Sequence, residues 1–214
     1  MSSQKQQDLE AGLHQLDLNC SPQQFEKLLQ YLQLLQRWNK AFNLTAIRDP
    51  LQMVRLHLLD SLAINPYVQG LKSIIDVGTG PGLPGMPLAI LNPDINFTLL
   101  DSNGKKTRFL FQAINELKID NASEVNHRVE AYKPGRSFDA VVSRAFSSIS
   151  DMLNQCDHLV SDQGCFLAMK GKKPDSELSQ MTKAYKVVEV NEVNVPLVDS
   201  ERHLIKIIKT GGAI

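Results

Sequence analysis

The sequence predicts an α/β fold: a seven-stranded, mostly parallel sheet crossed by helices and preceded by a helical extension. Three observations predict it. From Ile74 onward, short apolar runs alternate with amphipathic stretches, the pattern of parallel strands joined by crossover helices. The first run, Ser73-Ile-Ile-Asp-Val77, feeds a turn with glycines at 78, 80, 82 and 85 that opens a helix. Before residue 70 the apolar positions recur every three or four residues instead, and Gln69-Gly70 marks the change. The expected division is a helical extension over 1–70, packed on a sheet domain over 71–214.

In chain order, residues 1–20 are expected to be partly helical at best. Ser21-Pro22-Gln23-Gln24 supplies an N-cap serine, a proline at the first helical position and a glutamine three residues after the cap, so a helix follows to about Trp38. Phe25, Leu28, Leu29, Leu32, Leu35 and Trp38 form its buried stripe. Asp49-Pro50 caps a second helix to about Ile64, on which His57, Asp60 and Ser61 lie within one turn. Such a trio is more often a satisfied surface cluster than a site. Strands are expected near 73–77, 97–101, 123–128, 138–143, 164–169, 186–194 and 203–209, with helices near 85–91, 104–118, 149–159 and 174–181.

Composition narrows the function. The 23 basic and 23 acidic residues balance, so any nucleic-acid contact must come from a local basic patch. Cys20, Cys156 and Cys165 are odd in number and lack C-x-x-C spacing, which argues for neither a disulfide framework nor a metal site. The polar start and the absence of any long apolar run lead to the expectation of a cytoplasmic protein with no membrane contact.

The glycine turn supports two readings. Gly80, Gly82 and Gly85 satisfy the G-x-G-x-x-G of dinucleotide enzymes, and Asp76, Gly78, Gly80 and Gly82 satisfy the D-x-G-x-G-x-G of methyltransferases. A diphosphate at a helix start is held by backbone N–H groups. Pro81, Pro84 and Pro87 each delete one, which favours S-adenosylmethionine over NAD. The Asp76 carboxylate, at the strand end, also suits a cationic or amino-bearing ligand.

In an open parallel sheet, ligands bind at the carboxyl ends of the strands, beside the point where strand order reverses. Asp101, about twenty residues past the turn, is placed to accept hydrogen bonds from a ribose diol. Val129 and Glu130 follow the third strand, where an adenine would slot. Arg144, in Ser143-Arg-Ala-Phe146 after the fourth, either pairs with an acid or contacts donor or acceptor. Lys105, Lys106, Arg108, Arg144 and Lys170-Gly-Lys-Lys173 recur on the same rim and point to a nucleic-acid acceptor.

Together these residues closely resemble the bacterial ribosomal RNA small subunit methyltransferase G family, also called glucose-inhibited division protein B. The marks are Trp38-Asn39-Lys40, Asn43-Leu44-Thr45, His57-Leu-Leu-Asp60-Ser61, Asp76 through Gly85, Leu100-Asp101-Ser102, Lys105, Arg128-Val129-Glu130, Ser143 through Phe146, Lys170-Gly171 and Glu201-Arg202-His203. The resemblance implies a class I S-adenosylmethionine-dependent methyltransferase fold. It also implies methyl transfer to N7 of guanine 527, in the 530 loop of 16S ribosomal RNA, with the RNA or the small subunit as partner. Gly78, Leu83, Val129, Glu130 and Arg144 would map onto the family's donor contacts, with Gly80 in the same turn and Asp101 as the ribose acid. No catalytic acid or base, no metal and a monomer are expected. One departure is that Leu56 stands before His57 where family members generally carry a basic residue, with Arg55 one place earlier. The rival classes are an NAD-dependent oxidoreductase and a non-catalytic RNA-binding assembly factor.

Overall fold

The computed structural model describes residues 3–211. Its sheet has the order β3-β2-β1-β4-β5-β7-β6. The strands are β1 (Ser73–Val77), β2 (Asn96–Asp101), β3 (Ala122–Asn126), β4 (Phe138–Ser143), β5 (Val160–Lys170), β6 (Tyr185–Glu192) and β7 (His203–Lys209). The first five run parallel, and β7 inserts antiparallel between β5 and β6. The order reverses between β1 and β4, which opens a crevice at the carboxyl ends of those strands.

Side-chain alternation divides the core. Ile74, Leu99, Val142 and Leu167 pack on one face, while their neighbours Ile75, Leu100, Val141 and Phe166 pack on the other. Central parallel strands buried on both faces need apolar residues at consecutive positions, and these have them. α5 (Gly85–Leu91) and α6 (Gly104–Leu117) cover the first face, and α7 (Ile149–Cys156) the second. A short α8 (Asp175–Ser179) follows β5 and is shorter than the expected 174–181.

The helical extension joins the first face directly. Leu28, Leu32 and Leu35 of α2 (Pro22–Phe42) share one apolar cluster with Phe109, Leu110 and Ala113 of α6. Tyr31 reaches further, donating its hydroxyl proton to Pro81 O at 2.8 Å. α2 outruns the expected end at Trp38, and Asn43 closes it in the left-handed conformation at φ 51°.

Two departures from the sequence expectation lie here. Gln4–Gln15 forms a full helix, α1, where only partial helix was expected. Leu9 and Leu13 are buried, Gly12 lies against Leu59, and Asp8 accepts from Arg55 Nε at 2.9 Å and Nη2 at 2.7 Å. Docking, not intrinsic propensity, stabilises such a short helix. The expected single helix over 50–64 is instead α3 (Pro50–Met53), a π-helical stretch Val54–Leu59 and α4 (Asp60–Leu62). The Asp60 N–H reaches back five residues to Arg55 O, and widened turns of this kind cluster at functional sites.

Candidate active site

The turn after β1 is locked from within. Gly78 and Thr79 N–H both donate to Leu100 O, Gly82 and Leu83 N–H to Thr79 O, and Met86 N–H to Gly82 O. Gly80 N–H donates to Asp101 Oδ2 at 2.9 Å and Gly85 N–H to Asp76 Oδ2 at 2.7 Å. Leu88 N–H donates to Pro84 O, and the remaining positions, 81, 84 and 87, are prolines. No backbone donor from Gly78 to Leu88 is left for a diphosphate.

Asp76 thus holds the turn through Oδ2. It is fully buried, and Oδ2 also accepts from Thr79 Oγ1 at 2.6 Å. Its Oδ1 has no hydrogen-bond partner among the described residues. Burial pushes its pKa up to about 6, against the opposing hydrogen bonds from Thr79 and Gly85.

Gly85 has no room for a side chain: a Cβ there would lie 2.3 Å from Leu99 Cδ2 and 2.8 Å from Asp76 Oδ2. Gly85→Ala is expected to cost about 2 kcal/mol or more of stability, read by urea denaturation. An unchanged midpoint would contradict this packing.

Above the turn, at the strand-order reversal, lies a cleft of about 270 Å³. Gly78, Asp101, Val129, Glu130 and Phe146 are among its lining residues. Gly78 (φ +68°) sits where a Cβ would fall 2.5 Å from the Cβ of Ala145, another wall residue. Asp101 is buried, and Oδ1 accepts from Asn103 N–H at 2.8 Å while Oδ2 accepts from Gly80 N–H and meets Lys106 Nζ at 3.5 Å. A carboxylate has about four lone-pair sites, so acceptor capacity remains for a diol. The cap of α6 is Asn103, whose side chain accepts from Lys105 N–H. Val129 and Glu130 occupy a single turn, Val129–Ala131, after β3.

Of the other expected site residues, Gly80 and Leu83 are buried in the turn beneath the cleft. Arg144 does not line the cleft. Its side chain enters a neighbouring pocket of about 220 Å³ with Asp60, Met169, Lys170, Arg202 and His203, so the Arg144–Ala145 step forms the wall between the two. Phe146 packs half-buried on the cleft side.

His57, Asp60 and Ser61 do not meet. His57 Nε2 lies 3.0 Å from Thr45 Oγ1 and Nδ1 lies 3.1 Å from Leu56 O. Burial and then the Arg144 charge push its pKa down to about 4. Asp60 turns to Arg144 and to Arg202, a residue the sequence reading gave no role at the site. Asp60 and Arg202 lie in separate polar motifs, His57 to Ser61 and Glu201 to His203, and are 142 residues apart, so no local pattern signals their meeting.

The basic rim is partly neutralised: Lys106 pairs with Asp101, Lys170 with Glu177 and Lys173 with Asp175. Lys105 and Arg108 remain exposed without an ion pair among the described residues. Arg55 pairs with Asp8. Among the described residues no cluster of potential metal ligands occurs, and no helix is long and apolar enough to cross a membrane.

Residues 24–205 match the family model described as rRNA small subunit methyltransferase G. The chain belongs to that family. Among relatives named ribosomal RNA small subunit methyltransferase G, that of Shewanella loihica is 49% identical over 201 residues, covering 94% of this chain and 97% of the relative. That of Shewanella sp. strain MR-4 is 51% identical with the same coverage, 94% and 97%. Among solved structures, the glycopeptide N-methyltransferase MtfA superposes with a TM-score of 0.60 at 10% identity, over 71% of this chain and 95% of that one. The N-methyltransferase NodS from Bradyrhizobium japonicum, in complex with S-adenosyl-L-homocysteine, gives 0.56 at 14% identity, over 84% and 98%. The methyltransferase G family member thus has the Rossmann-like fold of class I methyltransferases.

Proposed function

We propose that this chain transfers a methyl group from S-adenosylmethionine to N7 of a guanine in 16S ribosomal RNA, in the 530 loop. What carries the reading is the inventory of the glycine turn: with every amide donor from Gly78 to Leu88 engaged or replaced by proline, the turn favours a nucleoside without a diphosphate. The relatives' shared name supplies the acceptor class.

In this reading Gly78 gives the ligand close access to the main chain, Gly80 and Leu83 hold the turn beneath it, and Asp101 accepts from the ribose diol. Val129 offers an apolar wall for adenine, and Glu130 lies at the lip. Arg144, on the wall between cleft and pocket, stands where the donor's amino-acid end and the acceptor base come together.

The bound donor supplies an electrophilic methyl carbon on a sulfonium. Guanine N7 offers an in-plane lone pair and carries no proton, so the protein needs no general base and its work is alignment and tolerance of moving positive charge. His57 fits that reading, since it is buried and its Nε2 lies against Thr45 Oγ1. The chain is expected to act as a monomer in the cytoplasm, with ribosomal RNA or the small subunit as partner and no metal.

Methylated guanines are to be mapped in small-subunit RNA from cells with and without this chain, alongside transfer of labelled methyl by the purified protein. Loss of one N7-methylguanine in cells without it is expected. An identical map would remove the reading. Binding without transfer would favour an assembly factor, and capture of NAD instead of S-adenosylmethionine would favour an oxidoreductase.

A further inference from the structure

Asp60 sits on the helical extension, yet its carboxylate ends among residues of the sheet. Its side chain is 5% exposed; Oδ2 accepts from Arg144 Nη1 at 2.8 Å and Oδ1 from Arg202 Nε at 2.6 Å. Arg144 follows β4 and Arg202 precedes β7, so one buried acid fixes two guanidinium groups from distant segments. A single negative charge shared by two positive ones leaves a net positive charge at the pocket.

Arg202 is steadied further through Nη1, which donates to Ser200 Oγ at 2.9 Å and Glu201 O at 2.8 Å. Its Nη2, like Nε and Nη2 of Arg144, makes no hydrogen bond among the described residues. The pocket they border has apolar walls from Ile64, Met169 and Val195. Lys170 adds little charge, since Nζ is held by both Glu177 oxygens, at 3.0 and 3.1 Å. An apolar recess edged by guanidinium donors fits a nucleotide unit, with its base against the walls and a phosphodiester oxygen on an arginine.

We propose that Asp60 is a positioning residue for the acceptor: it orients Arg202 so that the free guanidinium edge grips a phosphate of the RNA strand beside the methylated base. The inference rests on the reading of this chain as an RNA methyltransferase. It makes a prediction opposite in sign to simple charge counting. Removing a carboxylate makes the pocket more positive, which alone would tighten binding of a polyanion. Loss of orientation weakens it.

The test uses the full chain and purified small ribosomal subunits lacking the methyl mark. Asp60→Asn keeps the size of the side chain and is expected to weaken subunit binding at least about tenfold. Arg202→Gln removes a side chain only 25% exposed but at the pocket edge, and is expected to weaken binding and flatten the log-affinity against log-salt slope by about 0.7, one phosphate contact on single-stranded RNA. S-adenosylmethionine affinity of Arg202→Gln should stay within about twofold, which a general loss of structure would not allow. Equal or tighter subunit binding by Asp60→Asn overturns the proposal. If that variant does not fold, an unchanged salt slope in Arg202→Gln overturns it. Methyl transfer by the wild type is scored in the same preparations. A wild type that binds subunits without methylating them defeats the proposed function, whereas a normally methylating wild type with unaffected variants defeats only this inference.

Discussion

Arg144→Ala is expected to lower methyl transfer at least about a hundredfold, a loss of roughly 2.7 kcal/mol of transition-state stabilisation, while the fold survives. Arg144 is 26% exposed, and its removal leaves Asp60 still paired with Arg202 at 2.6 Å, so no buried charge is orphaned. The Leu56 carbonyl loses only a 3.3 Å contact. Arg144 stands on the partition between cleft and pocket, and its charge bears on Asp76, His57 and Tyr31 together. Transfer of labelled methyl to small subunits, measured beside a thermal melt, reads both halves. Wild-type turnover in the variant would remove Arg144 from the reaction.

A second large effect is hidden in the wild type by cancellation. The folded His57 pKa of about 4 lies below its ordinary value of 6.5, so on acidification the unfolded chain binds the proton first and stability is lost between pH 6.5 and 4. The folded Asp76 value of about 6 lies above its ordinary 3.8, so the folded chain binds first and stability rises as pH falls through 6 toward 3.8. Each swing is about 3 kcal/mol, and the two run against each other over nearly the same window. Relative to the wild type, His57→Gln should gain about 3 kcal/mol between pH 7 and 4, and Asp76→Asn should lose about as much. Urea denaturation at pH 7, 5.5 and 4 gives these differences. Parallel curves for all three proteins would show that neither group titrates differently on folding.

The sheet was legible because its signals are local. Alternating apolar runs, the glycine turn and the acid closing β2 are each written within a few residues, and β1, β2, β4 and β7 lie where those runs put them. β5 extends back to Val160, which pairs with Phe138 across a register shift that no local pattern announces. The docked α1 and the π-helical stretch at Val54–Leu59 were illegible for a related reason. Both answer to tertiary contacts, Gly12 on Leu59 and Asp8 on Arg55, and not to propensity. The same holds at the site. Gly78, Asp101, Val129 and Glu130 follow from being at strand ends, whereas Asp60 and Arg202 meet across 142 residues of chain.

The self-contained bonding of the glycine turn has a kinetic corollary. A loop whose amides await a ligand must be ordered at the moment of encounter, and that ordering subtracts from affinity. Here the conformational entropy is surrendered during folding, with Tyr31 of the helical extension clamping Pro81 from behind. The receptor surface therefore stands ready before any visitor arrives, and association can be governed by diffusion and desolvation in place of loop closure.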